Sequence, residues 1–174
     1  SAPDYETKTS YSITVNASDG TNNTTQSLTV SITNLNDNSP VITSAASFTA
    51  DENQTSVGTS TYSDADGAIS TYTFSLTGTD ASALSINSSS GVITFNSAPD
   101  YETKTSYTVT VNISDGTNTT SQAMTIAINN INEAPVFTSV TSFTVNENQT
   151  SVGTASATDE DGHTVTYSLT GTDA

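Results

Sequence analysis

The chain has no cysteine, no tryptophan, one histidine, one methionine and only two basic residues, Lys8 and Lys104. Each shortage excludes something. Without cysteine, thioredoxin-style chemistry and zinc chemistry read as excluded. Two cations cannot neutralise a phosphate backbone, so nucleic acid is excluded as a partner, and anionic membrane surfaces are disfavoured. The missing tryptophan removes the usual sugar-stacking platform. His163 is the only histidine and sits in an Asp-Gly-His turn. It reads as a solvated turn residue, because no base–nucleophile pair accompanies it, and the chain reads as non-enzymatic. There is no apolar run long enough to span a membrane and no signal-peptide pattern. Export would therefore make this chain a piece of a longer protein.

What is abundant is hydroxyl, amide and carboxylate. Roughly a third of the residues are Ser or Thr, and 18 acids give a net charge of −16 and a pI near 4.1. Such a surface suits divalent cations. At 32% hydrophobic content, disorder would be a natural reading, but the apolar residues alternate too regularly. Tyr11, Ile13 and Val15 alternate with Ser12, Thr14 and Asn16, and Leu28, Val30 and Ile32 with Thr29, Ser31 and Thr33. Period two with β-branched residues predicts half-buried strands. Further segments follow at Phe48, Val57, Tyr72–Leu76, Leu84–Ile86, Val92–Phe95, Tyr107–Val111 and Met124–Ile128. Between them lie turn signals such as Asp66-Gly67, Ser88–Gly91, Pro99-Asp100 and Asp115-Gly116. No stretch keeps a 3.6-residue period, so the expected class is all-β, in two-sheet sandwiches.

The sequence also repeats. SAPDYETKTSY at 1–11 returns at 97–107, and ENQTSVGT at 52–59 returns at 147–154. An offset of roughly 95 residues suits a small β-sandwich and is too long for a solenoid unit. The expected division is the back half of one repeat (1–37), one whole repeat (38–132) and the front half of another (133–174). Together the halves lack a counterpart of residues 82–96. The chain thus reads as a window on a longer array. Neighbouring copies, meeting by strand complementation or lateral packing, are a further class of partner beside adjacent repeats of the same chain.

The acids fall into short motifs. These are Asp51-Glu52-Asn53, Asp64-Ala65-Asp66-Gly67, Asp100-Tyr101-Glu102, Ile113-Ser114-Asp115-Gly116 and the linker Asn34-Leu35-Asn36-Asp37-Asn38-Ser39-Pro40. The linker returns, altered, as Asn130-Ile131-Asn132-Glu133-Ala134-Pro135. In each, a proline that cannot join a sheet ladder marks a boundary. In order and spacing the five motifs resemble the cadherin family, specifically the cadherin-like tandem repeats of large bacterial surface proteins and adhesins. The resemblance implies seven-stranded Greek-key β-sandwiches with up to three Ca2+ ions at each junction between repeats. At the first junction it implies ligation by Asp4, Glu6, Asn36, Asp37, Asn38 through its carbonyl, Asp64, Asp66 and Asp115. At the second it implies Glu52, Asp100, Glu102, Asn132, Glu133, Asp159 and Asp161. The Leu35 and Ile131 carbonyls are expected ligands too, whereas Asn34 and Asn130 stand where the family usually has a non-ligating Asp.

Calcium chemistry agrees, since this ion takes six to eight hard oxygens. Each junction offers six carboxylates that would repel one another without a cation. Asp19 and Glu147 occupy positions serving junctions further along the array; Asp51, Asp80, Glu160 and Asp173 fall elsewhere. At the second junction Glu133 replaces Asp37 and Ala134 replaces Asn38, so three ions there are less strongly implied. The expected role is a calcium-rigidified stalk or spacer of an extracellular adhesin or surface filament, at a bacterial cell surface. The alternatives are a module recognising carbohydrate or a partner domain, for which Tyr62 and Tyr72 read only as core or rim, and a non-catalytic accessory domain of a secreted enzyme.

Overall fold

The computed structural model describes residues 2–67 and 71–172; Asp173 lies outside them. The chain begins with an antiparallel hairpin of β1 (Ser10–Ser18) and β2 (Asn23–Ser31), in register from Ser10 opposite Ser31 to Ser18 opposite Asn23. Its turn is an Asx turn: Asp19 Oδ1 accepts from the amides of Thr21 (2.9 Å) and Asn22 (2.7 Å).

After the first linker the chain forms β3 (Val41–Ile42), β4 (Ser47–Asp51), β5 (Ser56–Thr59), β6 (Tyr62–Ser63), β7 (Thr73–Thr77), a 3-10 turn (Ala81–Ala83), β8 (Leu84–Ile86), β9 (Val92–Phe95), β10 (Ser106–Ser114) and β11 (Thr119–Asn129). Two sheets face each other. One runs β4-β11-β10-β7 and the other β5-β9-β8, while β3 and β6 pair separately. The β10–β11 hairpin repeats the β1–β2 register, and β4 lies parallel to β11 at the sheet edge. This is an all-β Greek-key sandwich. Alternation puts Val109, Val111 and Ile113 of β10, and Met124, Ile126 and Ile128 of β11, into the core with Ile93, Phe95, Phe74, Leu84 and Ala50. Their strand neighbours are Thr108, Thr110, Asn112 and Ser114 on β10 and Ala123, Thr125, Ala127 and Asn129 on β11. Burying one such Ile, Val or Met contributes about 1.5–3 kcal/mol.

The flanking segments carry the same patterns without the same burial. Ile13, Val15, Leu28 and Val30 on β1–β2 are each 39–47% exposed. Their counterparts Val109, Val111, Met124 and Ile126 are covered by the β5-β9-β8 sheet. Beyond the second linker, β12 (Val136–Phe137) pairs with β13 (Ala157–Thr158) as β3 does with β6. Phe143 and Val145, in sequence register with Phe48 and Ala50 of β4, make no strand. In the middle repeat β4 is held by β11, some seventy residues later in the chain.

Candidate metal centres

The first linker lies against the turn at Asp64–Gly67 and the loop at Asp115–Asn118. Pro40 is buried and ends the linker at β3. Asp66, only 3% exposed, accepts from Asn38 twice: the backbone amide reaches Oδ2 and Nδ2 reaches Oδ1, both at 2.8 Å. Asn34 Nδ2 donates to the Asp66 carbonyl at 2.9 Å. Asn36 Nδ2 donates to the Asp115 carbonyl (3.3 Å) and to Thr117 Oγ1 (3.1 Å). Asn118 Nδ2 donates back to the Asn38 carbonyl at 3.0 Å, leaving that oxygen one lone pair. Asp115 holds its own loop by accepting from the amides of Thr117 and Asn118. Asp4 is fixed by the Glu6 amide and the Thr7 hydroxyl.

These bonds consume the donors and spare acceptors. Asn34 Oδ1, Asn36 Oδ1 and Asp64 Oδ2 are buried without a hydrogen-bond partner among the described residues. Leaving such an oxygen unsatisfied costs about 1–3 kcal/mol. Glu6, Asp37 and Asp66 each bring an oxygen within 4.8 Å of the others. Partial removal from water pushes the Glu6 carboxyl above its usual range, and the neighbouring Asp4, Asp66 and Asp37 push it further. For Asp66 desolvation acts upward too, but hydrogen bonds from the Asn38 side chain and backbone outweigh it and hold the carboxyl low. Hard oxygens of like charge drawn together, with unpartnered amide and carboxylate oxygens in the same linker and turn, fit a divalent cation with oxygen ligands.

At the second junction Glu52 is 3% exposed and clamped by two amides. Tyr101 N donates to Oε2 and Ile131 N to Oε1, each at 2.7 Å. This carboxylate ties the Asp100–Glu102 loop to the linker. Asn130 Nδ2 donates to Glu102 Oε1 at 2.7 Å, and Asp100 is held by Thr103. Glu52, Asp100 and Glu102 have oxygens within 4.8 Å of one another. From the other side, Asp161 Oδ2 accepts the Glu133 amide at 2.9 Å. Asn132 Nδ2 turns back to the Glu133 carbonyl at 3.1 Å. Asn53, in a left-handed conformation at φ 61°, donates to Glu133 Oε1 while Oε2 is buried and unpartnered. Desolvation raises the Glu133 and Glu102 carboxyls, and Glu52 and Asp161 add to both. Asp159 groups with Asp161 and His163.

Of the expected carboxylates, Glu6, Asp37 and Asp66 come together at the first linker, and Glu52, Asp100 and Glu102 and, separately, Asp159 and Asp161 at the second; Asp4, Asp64, Asp115 and Glu133 join none of these groups. Sequence reasoning missed Asn118 and Asn53, which bridge linker and sandwich. A signal for Asn118 existed, since Asp-Gly-Thr-Asn occurs at both 19–22 and 115–118. Lys104 pairs with Asp80 and lies 4.5 Å from the Tyr107 ring centre, and Lys8 repeats that contact with Tyr11 at 4.4 Å. Tyr62 and Tyr72 stack at 4.5 Å on the rim, the Tyr72 hydroxyl donating to the Gly67 carbonyl.

Residues 46–129 match the family model described as Cadherin domain. A chitinase A of Pseudoalteromonas piscicida is 35% identical over 98 residues, 55% of this chain but only 12% of that protein. Among solved structures, extracellular cadherin domains 1–4 of protocadherin gamma B7 align with a TM-score of 0.67 at 22% identity, over 91% of this chain and 42% of that one. The protocadherin gamma B4 extracellular domain aligns at 0.63 and 27% identity, over 79% and 22%. Residues 46–129, a little under half of the chain, match the cadherin-domain model, and their sandwich topology is that of the multi-domain cadherin structures: this part of the chain is similar to a cadherin domain in sequence and in fold.

Proposed function

We propose that the chain is a calcium-rigidified stretch of tandem repeats, divided at 1–37, 38–132 and 133–174, serving as stalk or spacer in an extracellular bacterial adhesin or surface filament. One observation carries this reading. At the first linker Glu6, Asp37 and Asp66, drawn from the preceding repeat, the linker and the following repeat, converge within 4.8 Å of one another, and in the same linker and turn Asn36 Oδ1 and Asp64 Oδ2 are buried without a partner among the described residues. The ligands of the first junction are Asp4, Glu6, Asn36, Asp37, the Asn38 carbonyl, Asp64, Asp66 and Asp115. Those of the second are Glu52, Asp100, Glu102, Asn132, Glu133, Asp159 and Asp161. Bound calcium supplies positive charge that turns mutual repulsion into a shared tie between repeats. The chain's own part is to hold the oxygens in place. Asn38 and Asn118 lock the linker to the following repeat, and Glu52 locks the Asp100–Glu102 loop to the next linker.

A second reading has its own support: the similarity to chitinase A favours a non-catalytic accessory segment of a secreted enzyme. Both readings use the same calcium-stiffened linkers. Small-angle scattering with calcium and with chelator tests the shared claim. The expected outcome is an extended particle whose maximum dimension and flexibility change on chelation. Superimposable profiles would refute the clamp.

A further inference from the structure

We propose that the turn at Asp159–His163 is a transition-metal site, taking a dication of the Zn2+ class through His163 Nδ1 and the Asp159 and Asp161 carboxylates. The inference deepens the reading of the second junction, because two of its three ligands belong to the calcium set. The Asp159 and Asp161 side chains are 6% and 4% exposed, whereas His163 is 62% exposed and open to an arriving ion. Gly162 at φ 76°, with its amide donating to the Asp159 carbonyl at 3.2 Å, folds the chain back so that residue 163 returns over the carboxylates. The His163 amide then caps Asp159 Oδ1 at 3.1 Å. The ring follows: Nδ1 stands 3.3 Å from Asp159 Oδ1 and 3.7 Å from Asp161 Oδ2.

Those separations suit one metal. Bonds of about 2.0–2.2 Å in a tetrahedron place ligand atoms about 3.3–3.6 Å apart. The nitrogen decides the class, since calcium takes oxygen and imidazole suits zinc, copper and nickel. Glu133 contributes its amide to Asp161 Oδ2, while its side chain turns to Asn53 of the preceding repeat. The first junction is a built-in contrast, because its Asp64-Ala65-Asp66-Gly67 turn is followed by Ala68 where the second has His163. Transition-metal affinity should therefore belong to one junction only.

The test titrates the whole chain with Zn2+ by calorimetry and with Co2+ by visible absorption, in calcium-free buffer. Calcium titrations run in parallel on wild type, His163→Ala and Asp161→Asn. The expected result is one site for Zn2+ and Co2+, weakened at least about 30-fold in His163→Ala, with calcium binding by that variant unchanged. Asp161→Asn should lose the transition-metal site and weaken calcium at the second junction. Zn2+ affinity that survives His163→Ala, or a second equal Zn2+ site, would overturn the proposal. Zinc binding without any calcium binding would sink the calcium reading and leave this one standing.

Discussion

Withdrawing calcium should cost the repeat at 38–132 a measurable part of its stability. Extracellular calcium modules bind with Kd of roughly 10⁻⁴–10⁻³ M. At about 10 mM free calcium, a ligand that binds only the folded form then adds about 1.4–2.7 kcal/mol per site. For a repeat of this size each kcal/mol moves Tm by about 4–8 °C, so one site should raise it by about 6–20 °C. Asp66→Asn is the sharpest perturbation. It keeps the shape but removes one of three carboxylates clustered with Glu6 and Asp37, and one charged acceptor for Asn38. In chelator the two losses oppose each other, because weaker hydrogen bonds come with less repulsion of Glu6. In calcium they add. The variant should therefore melt close to wild type in chelator and clearly below it in calcium. Asp51→Asn is the control: Asp51 is exposed, accepts from Asn129 at 2.9 Å and belongs to neither ligand set. It should keep the full calcium shift. Circular-dichroism melts across a calcium titration decide the matter. A wild type that melts identically in calcium and chelator, or an Asp66→Asn variant with the full shift, would refute the reasoning.

Gly91→Ala should destabilise the middle repeat by roughly 2–4 kcal/mol in denaturant unfolding, because Gly91 sits at φ 71° and an added Cβ would press on the Ser60 carbonyl oxygen and the Phe74 ring. Gly116→Ala, at φ 91° but facing open space, should cost only about 1–2 kcal/mol. In chelator, stability should be greatest at mildly acidic pH. Glu6, Glu102 and Glu133 have carboxyls raised above 4.5, so their contribution is complete below that pH and is lost as pH rises through their elevated values. Asp4, Asp66, Asp100 and Asp115 are held below 3.8, so theirs is present above that pH and lost as pH falls through the depressed values. Melts from pH 3 to 8 read both limbs, and calcium should abolish the loss on the neutral side.

The strands were legible because their cause is local. Val109, Val111 and Ile113 alternate with Thr110 and Asn112 whatever lies elsewhere, and a sheet with one wet face admits only one register for that pattern. The parallel pairing of β4 with β11 was not legible, since it joins segments some seventy residues apart and depends on how the sandwich closes. The site divides the same way. Carboxylates in short motifs announce themselves by composition and spacing. The amides that position them do not: Asn118 reaches Asn38 across 80 positions, and Glu52 receives the Ile131 amide across 79. His163 was read as solvated, and it is mostly exposed. What the sequence could not express is the fold-back at Gly162 that aims its ring at two buried carboxylates.

The amide-rich linkers show why asparagine stands where a further carboxylate would seem the better ligand. At the first linker the Nδ2 groups of Asn34, Asn36 and Asn38 all donate forward, to Asp66 or to the Asp115 loop. Aspartate could make none of those bonds and would add negative charge to a cluster already crowded with it. Asparagine docks by its donor end and leaves an acceptor free, as the unpartnered oxygens of Asn34 and Asn36 illustrate. The second linker divides its loyalty. Asn130 donates back to Glu102, the Ile131 amide donates back to Glu52, and the Glu133 amide alone donates forward, to Asp161. The first linker is thus tied to the repeat after it before any ion binds, whereas the second is tied mainly to the repeat before it. Without calcium the two hinges should bend at different places, the first on the side of Asp4 and Glu6, the second on the side of Asp159 and Asp161. Asp161 already accepts the Glu133 amide; Asp4, Glu6 and Asp159 are the carboxylates that a shared cation would newly join to the linker.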